Sequence, residues 1–107
     1  MKLAPLTEAA FLEQVLALAR LCGWRCYHQR PARTRHGWRT AVQGDAGFPD
    51  LVLVRDGVIL IWELKVGNNR LSPQQAAWLA ALRACGLAAC VLRPGDWDRI
   101  EKTLRRK

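Results

Sequence analysis

Apolar and polar positions alternate along this chain with two different periods. Between Thr7 and Gly23, Phe11, Leu12, Val15, Leu16 and Ala19 recur at helical spacing, predicting a helix from Glu8 to about Cys22 with a buried stripe. Thr7 is its N-cap, Glu8 favours the positive end of the helix dipole, and Gly23 stops it. Trp24 to Gln29 alternates as a strand, with Trp24, Cys26 and His28 on one face and Arg25, Tyr27 and Gln29 on the other. The stretch from Gly47 to Lys65 reads as two apolar strands joined by Asp56-Gly57, the pairing that marks a type I′ hairpin. Ser72-Pro73-Gln74-Gln75 then opens a second helix with a capping box and proline at its first position. That helix runs to about Cys85, with Trp78, Leu79, Leu82 and Cys85 inward and Gly86 as the stop. Leu87–Arg93 is predicted to be a buried strand. Past Pro94-Gly95, Asp96 or Asp98 opens a last helix with Trp97, Ile100 and Leu104 inward.

The hairpin carries the first candidate chemistry. A two-residue turn fixes register, so Val54 faces Ile59, Val52 faces Ile61 and Asp50 faces Glu63. Two carboxylates directly opposite each other have Cβ atoms on the order of 5 Å apart, and alternation puts Lys65 on the face of Glu63. Like charges so placed destabilise a sheet unless one acid keeps its proton or a hard cation lies between them. The plainer reading is a solvated strand end with an ordinary Glu63–Lys65 surface pair. Against it, both hairpin faces are apolar, which predicts a central strand covered on both sides, and charges at such a strand's end sit where sites are commonly built.

Taken in order, helix, strand, hairpin, helix, strand and helix give an α/β fold with a mixed sheet flanked by helices. At 107 residues, with no repeat, low-complexity tract or linker, one domain over 1–107 is expected. Lys and Arg number 17 against 9 acids, a formal charge of +8, which predicts a polyanionic partner, nucleic acid ahead of an anionic membrane. Basic residues gather in a long irregular connection over 30–46, with Arg30, Arg33, Arg35 and Arg39 around His36 and Trp38, and in the helix and tail over 96–107. Arg70 lies in the short loop after Lys65. Guanidinium groups interleaved with an aromatic suit phosphate contact and base stacking; the alternative is a solvated basic loop.

No apolar run approaches the length of a membrane span, and the start lacks the apolar core of a signal peptide; a soluble, cytoplasmic protein is expected. Cys22, Cys26, Cys85 and Cys90 make no paired knuckles, so reduced thiols packed as small hydrophobes are preferred to zinc through Cys22, Cys26 and His28. Neither a nucleotide-binding G-x-x-x-x-G-K-[ST] loop nor a G-x-S-x-G elbow occurs.

Pro49-Asp50, 12 intervening residues and then Glu63-Leu64-Lys65 resemble the proline-aspartate and acid-x-lysine pattern of the restriction-endonuclease-like superfamily, PD-(D/E)XK, whose core order is α-β-β-β-α-β. More narrowly, Gly47-Phe48-Pro49-Asp50-Leu51, Glu63-Leu64-Lys65 and Leu71-Ser72-Pro73-Gln74-Gln75-Ala76-Ala77-Trp78 resemble the VRR-NUC domain, the virus-type replication–repair nucleases, over about Glu8 to Arg93. The resemblance implies metal-dependent hydrolysis of DNA phosphodiesters. It implies that Asp50, Glu63 and the backbone carbonyl of Leu64 ligate Mg²⁺, with Mn²⁺ able to substitute. It also implies that Lys65 orients or deprotonates the attacking water, and that Gln75 and a first-helix acid complete the site. Glu8 matches that acid by its distance to Gly23, with Glu13 the neighbouring alternative. Stand-alone members are similar to Holliday-junction resolvases and act as homodimers, which suggests a phage or bacterial DNA-repair setting.

The residues support the same roles independently. Mg²⁺ takes oxygen ligands and keeps several waters, so two carboxylates and a carbonyl suffice beside a phosphate. The leading expectation is a Mg²⁺-dependent, structure-selective DNA endonuclease acting on branched DNA as a homodimer. The alternatives are a non-catalytic nucleic-acid-binding module and a nuclease subunit whose partner supplies specificity.

Overall fold

A computed structural model describes residues 6–29, 32–34, 37–39 and 43–106, the segments 32–34 and 37–39 by backbone alone. Asp56 and Gly57 both adopt positive φ, 50° and 79°, as a type I′ turn requires. The strands either side pair in the register that turn sets. β4 (Leu51–Arg55) lies antiparallel to β5 (Val58–Leu64), with Arg55 opposite Val58, Val52 opposite Ile61 and Leu51 opposite Trp62. β1 (Arg25–His28) adds antiparallel to β4, and β6 (Ala88–Leu92) adds parallel to β5. The sheet order is therefore β1-β4-β5-β6, a mixed sheet.

Helices cover both sides of it unequally. α1 (Glu8–Leu21) and α3 (Trp97–Leu104) pack on one face, where Phe11, Val15, Leu16, Ala19, Ile100 and Leu104 bury Leu51, Leu53, Leu60 and Trp62. α2 (Pro73–Ala84) packs on the other, where Leu79 meets Ile61 and Ala89. The expected caps are present. Thr7 Oγ1 accepts the Ala10 N–H at 3.0 Å, and Ser72 Oγ accepts the Gln75 N–H at 3.1 Å. Arg55 closes the turn end of the sheet: its guanidinium lies 4.6 Å from the Trp24 ring centroid and donates to the carbonyls of Cys22 and Leu104 at 3.0 and 3.1 Å. These are terminal carbonyls of α1 and α3, which a helix cannot satisfy from within.

Four expectations are corrected. The α2-side face of the hairpin is covered only near the carboxylate end; beyond it Val54 and Ile59 are 40% and 37% exposed, and Tyr27 of β1 is 59% exposed. One 12-residue helix over β5 and β6 cannot reach across to β1. β6, expected to be buried, is an edge strand with Ala88 exposed and Cys90 and Val91 only half-buried. Cys85 caps α2 and is exposed rather than inward. The 30–46 connection also contains a two-stranded ribbon, β2 (Ala32–Thr34) with β3 (Gly37–Arg39), Arg33 opposite Trp38.

Candidate functional site

The carboxylates occupy the strand ends opposite the turn. β5 is buried from Leu60 onward, so Glu63 arrives there with only 1% of its surface exposed. A carboxylate so enclosed requires partners. Gln75 Nε2 donates to Glu63 Oε2 at 3.2 Å, and Lys65 Nζ lies 3.5 Å from the same oxygen. Glu63 Oε1 is buried and has no hydrogen-bond partner among the described residues. Burial, followed by the adjacent Asp50 carboxylate, pushes the Glu63 carboxyl up to about 7, with Lys65 pulling the other way.

Asp50 stands just ahead of β4. Its Oδ2 accepts the Leu64 N–H at 2.9 Å, which fixes the side chain across the hairpin from Glu63. Lys65 Nζ bridges to Glu8 Oε1 at 4.0 Å. Glu8 reaches this point because the apolar stripe of α1 seats the helix on the β4–β5 face with its first turn at the carboxylate end. Glu13 lies further along α1 and is exposed; the ion pairs of Lys65 are with Glu8 and Glu63.

Gln75 has two commitments. Its Oε1 accepts the Ser72 N–H at 2.9 Å, completing the capping box, while its Nε2 holds Glu63. The start of α2 is in turn held against the Asp50 loop. Gly47 has φ +100°, and a Cβ there would lie 2.7 Å from the backbone carbon of Gln74. Phe48 meets Trp78 edge to face at 5.1 Å between centroids, and Trp78 Nε1 donates to the Asp45 carbonyl at 3.1 Å. None of these loop-to-helix contacts carries a sequence signal beyond Gly47 itself. The sequence also gave no signal for Arg93, whose guanidinium donates to the carbonyls of Gly67 and Asn69 in the loop after Lys65.

Of the arginines predicted to contact nucleic acid, Arg70 is exposed in that loop. Arg33 lies in β2 and Arg39 in β3. Arg30 and Arg35 lie outside the described residues.

A hard divalent cation fits the donors present. Two carboxylates converge, and one contributes a buried oxygen that nothing among the described residues satisfies. Among the described residues no group of three or more His, Cys, Asp or Glu side chains forms a metal cage. A cation here would thus be held by Asp50 and Glu63 and complete its shell with backbone, water or substrate oxygens, the mode Mg²⁺ favours.

Residues 11–94 match the family model of the VRR-NUC domain. No match is found among curated proteins. No helix among the described residues is long and apolar enough to cross a membrane.

Proposed function

We propose that this chain, which belongs to the VRR-NUC nuclease family, is a Mg²⁺-dependent endonuclease that hydrolyses phosphodiester bonds in branched DNA. The observation that carries this reading is the state of Glu63: buried, beside a second carboxylate, with one oxygen lacking a partner among the described residues. Such a group is costly to the fold by itself and becomes favourable once a cation occupies the space in front of it.

Asp50 and Glu63 would hold the ion. When bound, it would neutralise the carboxylate pair, polarise a phosphoryl oxygen and lower the pKa of a bound water. The chain's own residues then have separable tasks. The Leu64 N–H keeps the Asp50 carboxylate turned toward the hairpin. Gln75 and Lys65 both engage Glu63 Oε2, which leaves Oε1 as the free donor atom. Lys65, placed between Glu63 and Glu8, is a cationic group that orients water and phosphate oxygens beside the ion. Phosphate contacts by Arg70 and the basic segments would set the register of the DNA without reading its sequence.

Four-way junctions are the preferred substrate class because a strongly basic chain with no obvious base-reading module recognises backbone and shape. Paired incisions across a junction need two active sites, hence a homodimer. The test is cleavage of a labelled four-way junction beside a flap, a splayed arm and a linear duplex, with Mg²⁺, Mn²⁺ or EDTA, together with sizing of the purified protein. Metal-dependent, symmetric nicks in the junction by a dimer are expected. Binding without nicking under either metal would overturn the enzyme reading in favour of a DNA-binding module, and equal cutting of linear duplex would overturn the structural selectivity.

A further inference from the structure

The chain leaves the site at Lys65 and is back at it by Gln75, so the intervening loop cannot lie far from the carboxylates. Its base is pinned where the Lys65 N–H donates to the Leu92 carbonyl at 3.1 Å. The Asn69 N–H then donates to the Val66 carbonyl at 3.2 Å, closing a turn in which Gly67 has φ +55°. Arg93, one residue beyond β6, reaches across and holds this turn by two of its carbonyls. Its Nη1 donates to the Gly67 carbonyl at 3.1 Å and its Nη2 to the Asn69 carbonyl at 2.7 Å. The Arg93 backbone is itself held, its N–H donating to Asp96 Oδ2 at 2.8 Å.

The effect is directional. Two backbone carbonyls, the negative ends of their peptide dipoles, are bound to a guanidinium, while Asn68, Asn69 and Arg70 stand exposed. None of these three side chains contributes to the apolar core, and a Cβ at Gly67 would meet nothing within 4 Å. Val66 and Leu71 anchor the two ends of the loop against the core, but packing gives no reason for the turn between them to be fixed. Amide and guanidinium groups are the side chains that donate to phosphates and base edges. Holding them in place beforehand removes part of the ordering cost of binding.

We propose that Asn68, Asn69 and Arg70 form a preformed DNA-contact loop beside the carboxylates and that Arg93 is its positioning residue. This rests on the nuclease reading and adds to it a residue that acts on substrate affinity through the loop, without touching the reacting atoms.

The test measures binding of a fluorescent four-way junction in EDTA, with thermal unfolding recorded alongside, for the unaltered protein, Arg93→Ala, Arg93→Lys, Arg70→Ala and the Arg93→Ala/Arg70→Ala pair. Arg93→Ala is expected to weaken binding about tenfold alone but by a smaller factor in the Arg70→Ala background, where only the Asn68 and Asn69 contacts remain to be lost, because coupled residues are non-additive. Arg93→Lys is expected to behave like Arg93→Ala, since an ammonium is a point charge that lacks the planar fork spanning both carbonyls. In cleavage assays the change falls on KM more than on kcat. Gly67→Ala, which strains the turn while leaving Arg93 intact, should weaken binding in the same direction and decides the matter if Arg93→Ala does not fold. Unchanged affinity in Gly67→Ala or Arg93→Ala, full rescue by Arg93→Lys, or independent multiplication of the Arg70 and Arg93 effects would overturn the inference alone. Failure of the unaltered protein to bind or cut DNA would overturn the nuclease reading and this inference with it.

Discussion

Gln75 donates to Glu63 through one end of its amide, at 3.2 Å, and accepts the Ser72 N–H through the other, at 2.9 Å. One side chain thus couples the start of α2 to the orientation of a buried carboxylate. Gln75→Glu separates the two tasks. Glutamate completes a capping box as well as glutamine does, but it cannot donate to Glu63 and places a further negative charge beside it. The variant should keep its unfolding free energy to within the roughly 1 kcal/mol a cap is worth, while its single-turnover cleavage rate falls by on the order of tenfold or more. An unchanged cleavage rate in Gln75→Glu would show that Gln75 is only a cap.

The protonation of Glu63 predicts an unusual pH dependence for the metal-free protein. An acid whose carboxyl is raised from 4.5 to about 7 on folding binds more protons in the folded state between those values. Its stabilising contribution is complete below the unfolded value and is lost as pH rises through the folded one. In EDTA, thermal stability should fall between about pH 4.5 and 7. Glu63→Gln should flatten that fall, and added Mg²⁺ should raise the unfolding temperature more at pH 8 than at pH 5.5. An unchanged slope in Glu63→Gln would place the titration elsewhere.

Asp50 offers a separation of fold from chemistry. Asp50→Ala removes a proposed metal ligand and also leaves the Leu64 N–H without its acceptor, which costs about 1–3 kcal/mol. Asp50→Asn keeps an acceptor oxygen for that N–H. Both variants, and Lys65→Ala, should lose cleavage by on the order of a hundredfold or more while largely retaining DNA binding. Only Asp50→Ala should show the larger drop in urea midpoint. A fully active Asp50→Ala protein would remove the metal-clamp assignment.

Gly47→Ala should be the most damaging glycine change in the described chain. The new Cβ would sit 2.7–2.9 Å from three Gln74 atoms at a φ of +100°. Overpacking and backbone strain together amount to roughly 2–4 kcal/mol. Gly44 shares the positive φ but has open space around it, so Gly44→Ala should cost only about 1 kcal/mol of strain. Equilibrium unfolding of the two variants gives the comparison, and equal losses would mean that the approach to Gln74 is not limiting. Because Gly47 leads directly to Asp50, cleavage by Gly47→Ala should fall along with stability.

What the sequence made legible was local. Asp56-Gly57 dictates the hairpin register because few residues tolerate positive φ, and Ser72-Pro73-Gln74-Gln75 dictates a helix start because its side chains complete its own backbone hydrogen bonds. The opposition of Asp50 and Glu63 follows from the turn alone. Coverage was not legible: Val54 and Ile59 have the apolarity of buried residues, and only the reach of α2 decides that they are open. The β2–β3 ribbon escaped notice because Ala32–Thr34 and Gly37–Arg39 lack apolar alternation. Arg93, Gly47 against Gln74, and Trp78 with Asp45 are contacts between segments distant in sequence, and no periodicity encodes them.

The run from Leu60 to Lys65 is buried throughout, and the chain is exposed again by Gly67. Amide hydrogen exchange should therefore change steeply over three or four residues. Glu63 and Leu64 should exchange only through global unfolding, whereas Asn68 and Arg70 should exchange through local opening. The groups proposed to hold the ion thus lie on a buried strand, and those proposed to meet the DNA lie on an exposed loop whose order depends on the Arg93 hydrogen bonds. Heating short of the unfolding temperature would then erode substrate affinity first, leaving ion binding intact until the sheet itself gives way.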